Sequence, residues 1–195
     1  PFDLRSVRAQ PLEAPDLLTR IHDMAGAFGI VDLRVFVTGA LGFTAVASSS
    51  TPAVLCLGDS LARHHEDAPR DFLLLRALKA VQANVAALTR TAPIDLWPLV
   101  GAYLKLHSPS FSPPGVDAGK LQVFHSSMAE AGRVRPDPEM SLLASEVIRT
   151  IGNRASNLNA AANAWGGRIG LLALGDPYLA LEAVARAGGH LEGPP

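Results

Sequence analysis

Arg70-Asp71-Phe72-Leu73-Leu74-Leu75-Arg76-Ala77-Leu78-Lys79-Ala80-Val81-Gln82-Ala83-Asn84-Val85-Ala86-Ala87-Leu88-Thr89-Arg90 decides how this chain is read. At 100° per residue, Leu73, Leu74, Ala77, Leu78, Ala80, Val81, Val85 and Leu88 fall on one broad arc. Asp71, Arg76, Lys79, Gln82, Thr89 and Arg90 fall on the other. The spacing predicts one amphipathic helix over 70–90, ended by Pro93, with an apolar side wide enough to belong to a core.

Upstream, Leu17, Leu18, Ile21, Met24, Ala25 and Phe28 recur at helical spacing and Gly29 stops them, which predicts a helix over 16–28. From Leu33 the period falls to two. Leu33, Val35 and Val37 alternate, and Phe43 to Ala47 and Ala53 to Leu57 give two more β-rich runs. These three runs predict a small antiparallel three-stranded meander near the N-terminus. Gly58-Asp59-Ser60 then closes the third strand and starts a short helical turn.

Downstream the chain reads as helical throughout. Expected helices cover 95–106, 117–131 and 139 to about 165, the last bent or broken by Gly166-Gly167. A final helix runs through Ala187, with Asp176 as its cap and Pro177 in its first position. There is no βαβ alternation, so the expected class is α+β and mainly helical. Residues 1–15, with three prolines, read as a connecting segment, 16–187 as a single domain and 188–195 as a flexible C-terminal tail.

With 48% hydrophobic and 18% charged residues and a formal charge of -1, nothing favours disorder, nucleic acid or an acidic membrane surface. The expected partner is a protein or peptide, with no nucleic acid. No apolar run approaches the ~20 residues of a membrane span and no leader is visible, so no membrane insertion and a cytoplasmic location are expected. The chain opens on Pro1-Phe2-Asp3 without Met, which suggests a piece of a longer protein. Cys56, the single cysteine, lies in an apolar run and reads as a core thiol.

The order of helix, β-meander, Gly58-Asp59 and an apolar helix beginning Phe72-Leu73-Leu74 resembles the zinc metallopeptidase family of the CAAX prenyl proteases and HtpX. In that family the corresponding helix bears His-Glu-x-x-His. Two His four apart face one way and grip zinc, while the Glu serves as base on the bound water. Aligned on Leu57-Gly58 and Phe72 to Leu75, the first His falls on Arg76, the Glu on Ala77 and the second His on Ala80. The family's later Glu-x-x-Ala-Asp-Arg fits Asn163-Ala164-Trp165-Gly166-Gly167-Arg168. Asn163 stands at the third ligand, Gly167 at the acidic residue that supports a ligand His, and Arg168 is retained.

The resemblance, over about 16–187, implies a metallopeptidase-like fold that has lost its metal site at Arg76, Ala77, Ala80, Asn163 and Gly167, with no cofactor and no catalytic residue. It implies a catalytically inactive interaction or scaffolding module of a larger bacterial-type protein, with peptide received along an edge strand over 41–50. Arg76, Lys79 and Arg168 form a candidate anion or peptide cleft. The competing classes are a hydrolase with an active site elsewhere and a structural oligomerisation domain. His64-His65-Glu66-Asp67 reads as a solvated polar loop rather than a metal site, because adjacent helical residues diverge by about 100°. Gly166-Gly167-Arg168 reads as a tight turn rather than an anion cradle.

Overall fold

The computed structural model describes residues 3–112, 115–132, 138–151, 154 and 157–188. The fold is α+β and mainly helical. In chain order the elements are β1 Gln10–Pro11, α1 Pro15–Ala27, β2 Leu33–Thr38, a 3-10 turn Gly39–Leu41, β3 Ala45–Ser48, β4 Ala53–Gly58 and α2 Asp59–Ala62. Then follow α3 Asp67–Gln82, α4 Ala86–Arg90, α5 Pro93–His107, α6 Ala118–Ala131, α7 Pro138–Ile151, α8 Leu158–Leu174 and α9 Pro177–Ala187. Where the sequence reads one domain over 16–187, the chain clusters into two compact units. One comprises the residues up to Arg90 together with those from Ala162 onward, and the other is Thr91–Ala161.

The sheet corrects the expected antiparallel meander. It has four strands in the order β1-β2-β4-β3. β2 and β4 pair in parallel, Leu33 opposite Ala53 through Thr38 opposite Gly58, while β3 pairs antiparallel with β4. The physical reason lies in β4. Its run Ala53-Val54-Leu55-Cys56-Leu57 is apolar at every position, as a central strand covered on both faces requires, and Leu55, Cys56 and Leu57 are all fully buried. β3 therefore passes beyond β4 and takes the edge. The expected connecting segment 1–15 is also corrected in part. Gln10 and Pro11 pair antiparallel with Val37 and Phe36, and a proline is tolerated there because an edge strand has one side without ladder bonds.

In the first unit, Leu17 and Ile21 of α1, Val35 of β2, Leu55 and Leu57 of β4, and Leu74 and Leu78 of α3 share one buried cluster, which Ala180 and Ala183 of α9 complete. Arg20 of α1 clamps α3 through both carboxylate oxygens of Asp71, with Nε 3.0 Å from Oδ1. Asp71 is thus buried and paired, not a member of a solvated arc. The Asp71 hydrogen bonds, ahead of its charge, hold the Arg20 guanidinium above its ordinary pKa. Cys56 is the core thiol the sequence predicts, and burial pushes it up to about 11.

The helix expected over 70–90 is two helices. Asn84 takes φ +55. Val85 N–H donates to the Ala80 carbonyl and Asn84 N–H to the Val81 carbonyl, both at 2.9 Å. This closes α3 with the paired bonds of a left-handed C-terminal cap, a conformation asparagine accepts more readily than most residues. The break expected at Gly166-Gly167 is absent, since both lie inside α8. The expected Asp176 cap is present: its carboxylate accepts from the N–H groups of Tyr178 (2.8 Å) and Leu179 (3.3 Å). The tail beyond 188 lies outside the described residues.

The second unit is helical. Leu96, Ala102 and Leu104 of α5 are buried, Trp97 meets Phe111 edge to face, and the Lys120 ammonium of α6 sits 2.6 Å from Asp95. Asp117 caps α6 by accepting from Lys120 N–H at 2.9 Å. Among the described residues no helix is long and apolar enough to cross a membrane.

Candidate functional site

The site lies within the first unit, where α3, α8 and the edge strand β3 meet. Ala77 and Ala80 face inward on α3 and are buried, while Arg76 is half-buried beside them. α8 approaches α3 along Ala162, Gly166 and Gly170, all buried at four-residue spacing. A Cβ at Gly166 would lie 2.9 Å from the Arg76 carbonyl oxygen, and one at Gly170 2.8 Å from the Phe72 ring. Glycine at these positions is what allows the two helices to touch. The approach brings Asn163 within reach of Arg76, whose Nη2 donates to the Asn163 side-chain oxygen.

Arg76 and Asn163 are 87 residues apart in sequence. They border one cavity of about 530 Å³ together with Ala77 and Ala80. Thr44, Ala45, Val46 and Ala47 along β3 form its second wall, and Thr89 and Arg90 of α4 and Val184 and Ala187 of α9 add to the margin. Gly58 N–H donates to the Thr44 carbonyl at 2.8 Å, so Thr44 and Gly58 form a hydrogen-bonded pair. By alternation Val46 and Ser48 bond inward to β4, and the N–H and C=O groups of Ala45 and Ala47 point outward from the sheet.

Of the five residues that the resemblance aligns with metal-site positions, Arg76, Ala77, Ala80 and Asn163 border one cavity, and Gly167 lies on α8 with Asn163. A Cβ on Gly167 would come 4.0 Å from the Phe72 ring. None of the five can serve a zinc ion. Arginine only donates, alanine carries no lone pair or base, and a neutral amide cannot replace a carboxylate ligand. Among the described residues no group of three or more His, Cys, Asp and Glu is placed to share a metal.

The candidate cleft of Arg76, Lys79 and Arg168 is not assembled as expected. Lys79 Nζ lies 4.4 Å from the centre of the Trp165 ring and donates to Gln82 at 2.6 Å. Arg168 is exposed, and neither residue borders the cavity. Helical phase explains the difference: Arg168 follows Gly166 by two residues, about 200° around α8. Gly166-Gly167-Arg168 is neither a turn nor a helix start, so its N–H groups belong to the helix ladder. Of the solvated loop expected at 64–67, His65, Glu66 and Asp67 are exposed, and only His64 is corrected. His64 packs edge to face on Phe43 at 4.9 Å, and burial, ahead of the nearby Arg186 charge, pushes its pKa down.

The residue that sequence reasoning missed at this site is Arg90. Its Nε donates to the Ala86 carbonyl at 3.2 Å, and burial pushes its pKa down. Recognising Asn84 as a helix cap would have freed 86–90 from the phase of α3.

Compared with known proteins, the chain matches no family model, no curated protein and no solved structure.

Proposed function

We propose that the first unit is a peptidase-like frame without catalytic function, acting as a peptide-binding module within a scaffolding or adaptor protein. One observation carries this reading. The residues that the resemblance to the CAAX prenyl protease and HtpX family puts at the first and third metal ligands, Arg76 and Asn163, are in contact. Chance alignment of two short segments gives no reason for that contact, nor for Ala77 and Ala80 lining the same cavity beside an edge strand.

A ligand-free frame of this kind retains one recognition device. An extended peptide can add to the outward side of β3, where main-chain hydrogen bonding needs neither zinc nor a base. The partner is therefore a protein or peptide, and no cofactor is required.

The test is metal content together with hydrolysis. Purified protein is expected to carry far less than one zinc per chain and to leave unfolded casein uncut with or without a chelator. Stoichiometric zinc with chelator-sensitive cleavage contradicts the reading.

A further inference from the structure

The walls of the cavity carry positive charge without a carboxylate among the lining residues. Arg20, Arg63, Arg70 and Arg186 each meet a carboxylate. Arg76 does not: among the described residues its side-chain acceptor is the neutral amide of Asn163, which satisfies one N–H and no charge. The lining as a whole contains Arg76 and Arg90 and no aspartate or glutamate. Its other polar side chains are Thr44, Thr89 and Asn163, and the remainder is apolar. A half-buried guanidinium facing such a space favours an incoming carboxylate, because a charge removed from water gains most from an opposite charge with fork geometry.

Resting on the peptide-binding reading above, we infer that this cavity selects an extended peptide bearing an acidic side chain, whose carboxylate pairs with the Arg76 guanidinium. The direction of approach distinguishes a side chain from a chain terminus. A strand added at β3 lies in the plane of the sheet and projects its side chains alternately above and below it. Arg76 comes from α3, which packs across β3 and β4, so the group that reaches it stands off the strand. A terminal carboxylate would continue along the strand.

The probe is a fluorescein-labelled, acetylated and amidated peptide in which valine alternates with glutamate, measured by fluorescence anisotropy. Glutamine and lysine versions are run beside it. The glutamate peptide is expected to bind, with affinity falling as salt rises. The glutamine version is expected to bind on the order of 10- to 100-fold more weakly, and the lysine version more weakly still. Arg76→Gln is expected to erase the preference for glutamate, and Arg76→Lys to restore part of it, with circular dichroism verifying that both variants are folded.

Equal binding of the glutamate and glutamine peptides overturns the inference, as does failure of the glutamate peptide to bind. Selective binding of a glutamine peptide with a free C-terminal acid shows that a terminal carboxylate is the ligand, and competition by millimolar succinate alone shows a small-acid site. Either result also overturns it. Ala47→Pro removes an outward N–H from β3 and separates the two readings. If the proline abolishes binding of glutamate and glutamine peptides alike while they bind the parent protein equally, the edge reading stands and the acidic selection fails. If binding survives the proline but not Arg76→Gln, the anion site stands and strand addition fails.

Discussion

Gly58→Ala is expected to destabilise the first unit by about 3–5 kcal/mol, a large share of the roughly 5–15 kcal/mol that holds a typical domain folded. A Cβ at this position would lie 1.8 Å from the Gly42 carbonyl oxygen, 2.6 Å from its carbonyl carbon and 2.8 Å from its nitrogen. All three are backbone atoms, so no rotamer change relieves the clash. Gly42 itself sits at φ +54, in the turn that feeds β3, and Gly58 N–H holds the start of that strand through Thr44. Relief requires moving the connection, and with it the edge on which the proposed peptide binding depends. Gly26→Ala is the control. Nothing lies within 4 Å of its Cβ, it sits in α1, and removing a helical glycine is expected to stabilise by up to about 1 kcal/mol. Urea unfolding of the two variants is expected to move the midpoint in opposite directions. Equal midpoints would show that the Gly42–Gly58 contact has no structural role.

Gly166→Leu carries the second large effect, and two opposing terms decide its sign. Leucine improves helix propensity by somewhat under 1 kcal/mol. Against that, its Cβ alone would come within 2.9 Å of the Arg76 carbonyl oxygen and 3.0 Å of Arg76 Cγ, and the rest of the side chain has no space between α8 and α3. Overpacking of this kind costs typically 1–3 kcal/mol and more when backbone is the obstacle. The expected result is a net loss of about 2 kcal/mol, with α8 displaced and the Arg76 to Asn163 hydrogen bond broken. Ala164→Leu, exposed on the same helix, is expected to change stability by less than about 0.5 kcal/mol. A Gly166→Leu protein as stable as the parent would mean that close packing of the two helices does not position Asn163.

Much of this molecule was legible in its residues, and the failures are instructive. Helical spacing of apolar residues located α1, α3, α5, α6 and α9, although α3 is covered nearly all round, with only its ends exposed. The sheet was harder. Periodicity distinguishes strand from helix but says little about which strand is central. The uniformly apolar run of β4 holds that information, because only a strand covered on both faces is apolar at every position. β1 has two residues, too few for any period to show.

Glycine misled at 166 and 167. The same residue that ends a helix also lets two helices approach, and only the partner surface, here the backbone of Arg76, decides which role applies. At the site, no local pattern in the sequence links Arg76 and Asn163, which are 87 residues apart. Arg168 is a matter of phase: it lies on α8 with Asn163, but it is exposed and does not border the cavity.

The most direct measurement of the proposed peptidase-like frame is whether it holds a metal once ligands are supplied. The variant Arg76→His, Ala80→His, Asn163→Glu places two His four apart on α3 and a carboxylate where Asn163 now meets Arg76, leaving a fourth position for water. Calorimetric titration with zinc, supported by the visible spectrum of the cobalt-substituted protein, is expected to give one tight site per chain with tetrahedral absorption, while the parent protein binds none at that site. A triple variant that folds as the parent does, yet shows no stoichiometric zinc and no tetrahedral cobalt spectrum, would contradict a dismantled peptidase centre at these positions.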